Sequence, residues 1–137
     1  MSTAELPGVD APVLGPDDAR DMLDRQTEVL ELIAAAAPLH DVLAEILNSL
    51  ERLIPGARCS VLLLDRERRT LHHGAAPSLA VAYVAAIDGL AIGDHAGSCG
   101  TAAALNTAVV TADVRTDPRW VEYRAHTESA GLRSCWS

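Results

Sequence analysis

A chain of 137 residues carrying a formal charge of −8 has the size of one domain. Its acidity sets it against nucleic acid or an anionic membrane surface, since neither polyanion is drawn to it. The apolar share of 49% is that of a globular chain, but with no Phe, two Trp and two Tyr the core must be built from Leu, Val, Ile and Ala. Three cysteines without small-scaffold spacing fit a reducing compartment better than a disulfide framework. No apolar run approaches the ~20 residues that cross a bilayer, and no basic segment leads into a hydrophobic core as in a secretory signal. A cytoplasmic location is expected.

Residues 1–16 carry Pro7, Pro12, Pro16, Gly8 and Gly15 with little periodicity, which predicts a flexible tail. Asp17 and Asp18 then place negative charge at the start of a helix expected to run to about Ala37. Leu23, Leu30 and Ala37 recur every seven residues with Ile33 and Gln26 on the adjoining line, a seam that suits either a second copy of the helix or the chain's own sheet. Pro38 breaks this helix. In the next one Leu39, Val42, Leu43, Ile46, Leu47, Leu50, Leu53 and Ile54 form one apolar face, expected to be core, and Pro55-Gly56 ends it.

Cys59 to Leu64 and Thr70 to Gly74 read as a hairpin, with Cys59 an inert thiol inside the first strand. Adjacent His72 and His73 point to opposite faces of a strand, poor geometry for joint metal binding. Ser78 is expected to cap a helix from Leu79 to Ala86 with Leu79, Ala82 and Tyr83 facing inward. Leu90 to Ile92 and Ala108 to Ala112 read as strands, Arg119 to Ala130 as a helix ending at Gly131, and Leu132 to Trp136 as a further strand.

Between them lies Gly97-Ser98-Cys99-Gly100-Thr101-Ala102-Ala103, a glycine-flanked turn opening a short helix. Gly97 and Gly100 allow close approaches that a Cβ forbids, and Ser98 can cap the free amides of the helix start. Such a nest can hold an anion or a ligand's polar edge; the same residues also serve as a plain strand-to-helix connection with a small buried cysteine.

Read together, Gly74 to Leu79, Tyr83, Ala86 to Leu90, Ile92-Gly93, the Gly97 to Ala103 turn, Asp113, Asp117-Pro118-Arg119-Trp120 and Gly131 to Ser137 resemble a GAF domain. The resemblance covers residues 28–137, with 17–37 as an N-terminal linker or dimerisation helix, and is to the GAF sensors found N-terminal to bacterial diguanylate cyclase, phosphodiesterase and histidine kinase outputs. It implies an α/β (α+β) fold of PAS-like type: a central antiparallel sheet, N-terminal helices on one face, and short helices and loops over a pocket on the other. It also implies a Pro-Ile segment, another strand and a final helix beyond Ser137, so a truncated domain is expected, whose unpaired sheet edge invites strand exchange with a second copy or a partner.

Carried over residue by residue, the resemblance places the ligand pocket around Tyr83, Asp88, Cys99, Asp113, Trp120, Tyr123 and Cys135. Trp120 and Tyr123, three apart on a predicted helix, either close that pocket or serve as two of the four aromatics of the core. Cys99 and Cys135 are similar to the thiols of free-methionine-(R)-sulfoxide reductases, and Cys99 at a helix start is expected to have a lowered pKa. The reductase's reacting cysteine, however, falls where this chain has Asp117 to Trp120. The Cys-His pair of bilin-binding relatives and the Phe-containing signature of cyclic-nucleotide binders are absent. His95 and His126 suit haem only by residue type, and no spacing suggests zinc. Asp113 and Asp117 bracket a turn, where side-chain to backbone bonds explain them.

The expected function is a regulatory sensor module that binds a small molecule, dimerises through Leu23, Leu30 and Ile33, or both, and controls an output domain of the same gene. No catalytic set, metal, cofactor, nucleic acid or membrane partner is expected. The competing readings are a redox enzyme of the sulfoxide-reductase kind and a purely structural dimerisation domain.

Overall fold

A computed structural model describes residues 15–137. The tail expected over residues 1–16 lies, up to residue 14, outside the described residues. Helix α1 (Pro16–Ala34) opens with a proline whose missing amide is no loss there, and Asp18 Oδ2 accepts the Gly15 amide at 2.8 Å. It stops short of Ala37 because Ala36 turns left-handed at φ 54°. Helix α2 (Leu39–Leu53) follows and packs back on α1.

The apolar face of α2 is only partly core. Val42 and Leu47 are buried, whereas Leu39, Ile46, Leu50 and Ile54 are 37–59% exposed. A face eight residues wide is broader than the line of contact with the sheet, and its flank looks into a groove of about 470 Å³ between the two helices, lined among others by Met22, Val29, Leu30, Ile46 and Leu50. No residue of α1 is fully buried.

Strands β1 (Val61–Asp65), β2 (Thr70–Ala75) and β3 (Leu90–Ala91) form an antiparallel sheet in the order β1-β2-β3. Asp65 Oδ1 accepts the amides of Glu67 and Arg68 at 3.0 Å, which closes the β1–β2 turn. Leu64 faces Leu71, and Leu71 faces Leu90. Cys59 lies ahead of β1 rather than inside it.

Helix α3 (Val81–Ile87) starts two residues later than expected. The Ser78 hydroxyl bonds Glu51 on α2 instead of capping α3, and the cap position is held by Ala80, which has no side chain to offer. The later start leaves Ala82 exposed and puts Tyr83 and Ile87, one helical turn apart, against Ala130, with Leu79, Tyr123 and Leu132 around them.

Helix α4 (Gly97–Leu105) ends on the left-handed Asn106. Strands β4 (Val110–Thr111) and β5 (Cys135–Trp136) pair antiparallel, extended by two backbone bonds between Val109 and Ser137 at 2.7 and 2.9 Å. The α/β class with antiparallel sheets therefore holds, but the strands expected in one central sheet stand in two among the described residues. The helix expected over Arg119–Ala130 is broken into a 3-10 turn, Pro118–Trp120, and a short α5 (Arg124–Ser129). Asp117 holds the Arg119 amide at 2.9 Å, and the inward pull on Trp120 prevents a continuous helix.

Candidate functional site

Thr111, on β4, is the centre of a buried polar knot. Its hydroxyl donates to Asp117 Oδ2 at 3.0 Å, which leaves its oxygen lone pairs for Trp120 Nε1 at 3.0 Å and the Ser98 hydroxyl at 2.8 Å. All three residues around that oxygen, Ser98, Thr111 and Trp120, are at most 4% exposed, so the bonds are made where water cannot replace them. Ser98 is thus committed to β4 and does not cap α4; Ala96 occupies the cap position. Arg119 forks onto the Asp117 carboxylate and holds its pKa well below the ordinary range, while Arg119 Nη2 also reaches the Val110 carbonyl at 3.2 Å.

The glycines of the motif are used for proximity. Gly97, at φ 61°, lies under the Trp120 ring, where a Cβ would stand 3.4 Å away. At Gly100 a Cβ would stand 2.4 Å from that of Ala96.

Cys99, in the first turn of α4, and Cys135, opening β5, are brought together. Ser137 Oγ is 3.1 Å from the Cys99 sulfur and 3.7 Å from that of Cys135, so one hydroxyl stands beside both thiols. The neighbouring Cys135 thiol, together with burial, pushes the Cys99 pKa up. The Cys99 thiol, assisted by the Ser137 hydroxyl, pulls Cys135 down against its own burial. The lowered thiol is therefore Cys135 and not Cys99: the helix start is outweighed by the neighbouring thiol. Tyr83 lies beside both, and its hydroxyl is pushed up by burial and by the two cysteines. Ser137 also lines an open depression of about 550 Å³ shared with Ala102, Asn106, Thr107, Ala108 and Trp136.

The remaining expected site residues divide. Trp120 and Tyr123 pack edge to face at 6.4 Å, Trp120 within the polar knot and Tyr123 against the Tyr83 cluster. Asp88 instead lies against the middle of β2: it accepts the His73 amide at 2.8 Å, and the Nδ1 atoms of His72 and His73 each stand 3.5 Å from its carboxylate. Asp113 holds Arg115 in an exposed turn, which lowers its pKa to about 2. His95 and His126 are exposed, and among the described residues no group of three or more His, Cys, Asp or Glu is placed to hold a metal. Sequence reasoning missed Thr111 and Ser137; a lone Thr in a strand and a Ser after Trp carry no local signal, because both act through pairing of β4 with β5.

A family model, "GAF domain", matches residues 38–137. The chain belongs to the GAF domain family. The match spans α2 to β5 and leaves α1 as an N-terminal extension of the GAF domain. Over 120 residues, 88% of the chain, it is 38% identical to a methyl sulfide methyltransferase-associated sensor of Methanosarcina acetivorans. The match covers 12% of that relative, so the chain spans a small part of the relative's length. No solved structure matches. No helix of this GAF domain's described residues is long and apolar enough to cross a membrane.

Proposed function

We propose that the chain is a sensory regulatory module, which pairs with a second copy through α1, takes a small molecule on the side of α4 and β5, and biases an output domain of the same gene. The observation that carries this reading is the 38% identity, over 88% of the chain, to a protein named as a sensor. Two features of the geometry support it. Leu23, Leu30 and Ile33 are 63%, 64% and 56% exposed on two adjoining lines of α1, apolar surface that a single copy leaves in water. The open depression beside Trp136 and Ser137, with the half-buried Cys99 thiol and Ser137 hydroxyl next to it, offers a small molecule a place on this side of the domain. Signalling would be a shift in population: a ligand that prefers one packing of α4 on β5 changes the helix pairing at α1. Among the described residues β1 and β5 each stand at the edge of a sheet, which offers strand exchange as a second route to pairing.

Sedimentation velocity tests the dimer. Leu30→Glu buries a charge in the seam and is expected to weaken dimerisation ~30-fold or more, from a cost of about 2 kcal/mol. An unchanged dissociation constant in both Leu30→Glu and Leu23→Glu would place the interface elsewhere.

A further inference from the structure

We propose that Cys99 and Cys135 are a hydroperoxide-responsive dithiol that closes to a reversible disulfide and so fastens the start of α4 to β5. The proposal stands apart from the ligand-binding reading, since it needs only these two thiols and an oxidant. Its basis is placement. The residues are 36 apart in sequence, yet both sulfurs lie within reach of one hydroxyl, Ser137 Oγ, at 3.1 and 3.7 Å, on two elements that pack together. Helix α4 packs on β5, so closing the bond requires rotation of two side chains and a small approach of neighbouring elements rather than refolding. Both cysteines are half-buried, and the Ser137 beside them lines a depression open to solvent. The third cysteine, Cys59, lies ahead of β1, and burial raises its pKa.

The division of labour follows from the surroundings of the two thiols. Cys135, with the Ser137 hydroxyl and the Cys99 thiol beside it, carries the thiolate character that a nucleophile toward peroxide requires, whereas Cys99 is the resolving thiol. The Cys135 thiolate attacks one oxygen of hydrogen peroxide and becomes a sulfenic acid; the O–O bond breaks, and the departing hydroxide takes up a proton to leave as water. The Cys99 sulfur then attacks the Cys135 sulfur. The S–O bond breaks, a second water leaves with the Cys99 proton, and the S–S bond forms. In sum two thiols and one peroxide give one disulfide and two waters. A small-molecule dithiol reverses it by exchange.

The consequence is mechanical. A bond across this pair fixes β5 and Trp136 relative to α4, which would couple the oxidation state to the shape of the depression.

The 137-residue chain treated with stoichiometric hydrogen peroxide, denatured, alkylated and digested with trypsin tests it directly. Cleavage after arginine puts the three cysteines in separate peptides, Cys59–Arg66, Thr70–Arg115 and Ser134–Ser137. The expected result is loss of two of the three alkylatable thiols, a disulfide joining the last two peptides, and recovery of all three thiols with dithiothreitol. In Cys99→Ser, dimedone should trap a sulfenic acid at Cys135, and Cys59→Ser should behave as the parent. Retention of three alkylatable thiols would overturn the proposal. So would sulfinic acid at Cys135 with Cys99 still alkylatable, or a disulfide through Cys59.

Discussion

Trp120→Ala is expected to destabilise the protein by about 3–5 kcal/mol, the cost of emptying a buried indole site. Trp120 is 4% exposed, packs its ring against Gly97 and donates its Nε1 hydrogen to Thr111. Its removal leaves a cavity under the first turn of α4, deprives the Thr111 oxygen of one donor, and cancels the edge-to-face contact with Tyr123, itself worth about 0.5–1.5 kcal/mol. Against a typical domain stability of about 5–15 kcal/mol, that is a large fraction. Trp120→Phe divides the loss differently, because it keeps a six-membered ring in the site but gives up the five-membered ring and its N–H. It should cost clearly less, with a hydrogen-bond contribution of about 1–3 kcal/mol. Urea midpoints at unchanged m value provide the measurement. A loss below about 1 kcal/mol for the alanine variant would show that the knot around Thr111 does not hold the fold together.

Gly100→Ala should also destabilise, by about 1–3 kcal/mol, against the usual direction. Within a helix such a change ordinarily gains about 0.5–1 kcal/mol, since glycine loses the most backbone freedom on folding. Here the new methyl would sit 2.4 Å from the Ala96 Cβ and 3.4 Å from the Leu90 side chain. Neither Cβ can rotate away, so the Gly100 amide bond to the Ala96 carbonyl, 3.1 Å long, must lengthen as α4 shifts. Removing the opposing methyl supplies the control: in Ala96→Gly the Gly100→Ala change should become neutral or stabilising, a coupling that a double-mutant cycle reads. A stabilising Gly100→Ala in the parent would mean that the turn has slack.

What the sequence makes legible follows from the range of the forces involved. The α2 face reads directly, because burial against a flat sheet repeats every three or four residues; even so, spacing alone does not distinguish Val42 and Leu47, which reach the core, from Ile46 and Leu50, which border a groove. The two glycines of the α4 turn read correctly as sites of close approach. The break between Trp120 and Arg124 does not read, since it comes from a side chain drawn to Thr111 on another element. In the candidate site, Cys99 and Cys135 come together at Ser137, with Tyr83 near them. Asp113 serves a local turn with Arg115, whereas Asp88 reaches the His73 amide on β2, 15 residues away. Which cysteine carries the thiolate is a property of the pair and its surroundings, visible only once β5 is placed against α4.

The most direct test of the sensory reading is native mass spectrometry of the purified chain, which reports assembly and retained small molecules in one spectrum. The account predicts a mass of two chains plus a discrete non-covalent adduct that is lost on collisional activation. A bare monomer at all micromolar concentrations would contradict it. A bare dimer that acquires no adduct from small-molecule extracts would contradict its ligand-binding half and leave a structural dimerisation domain.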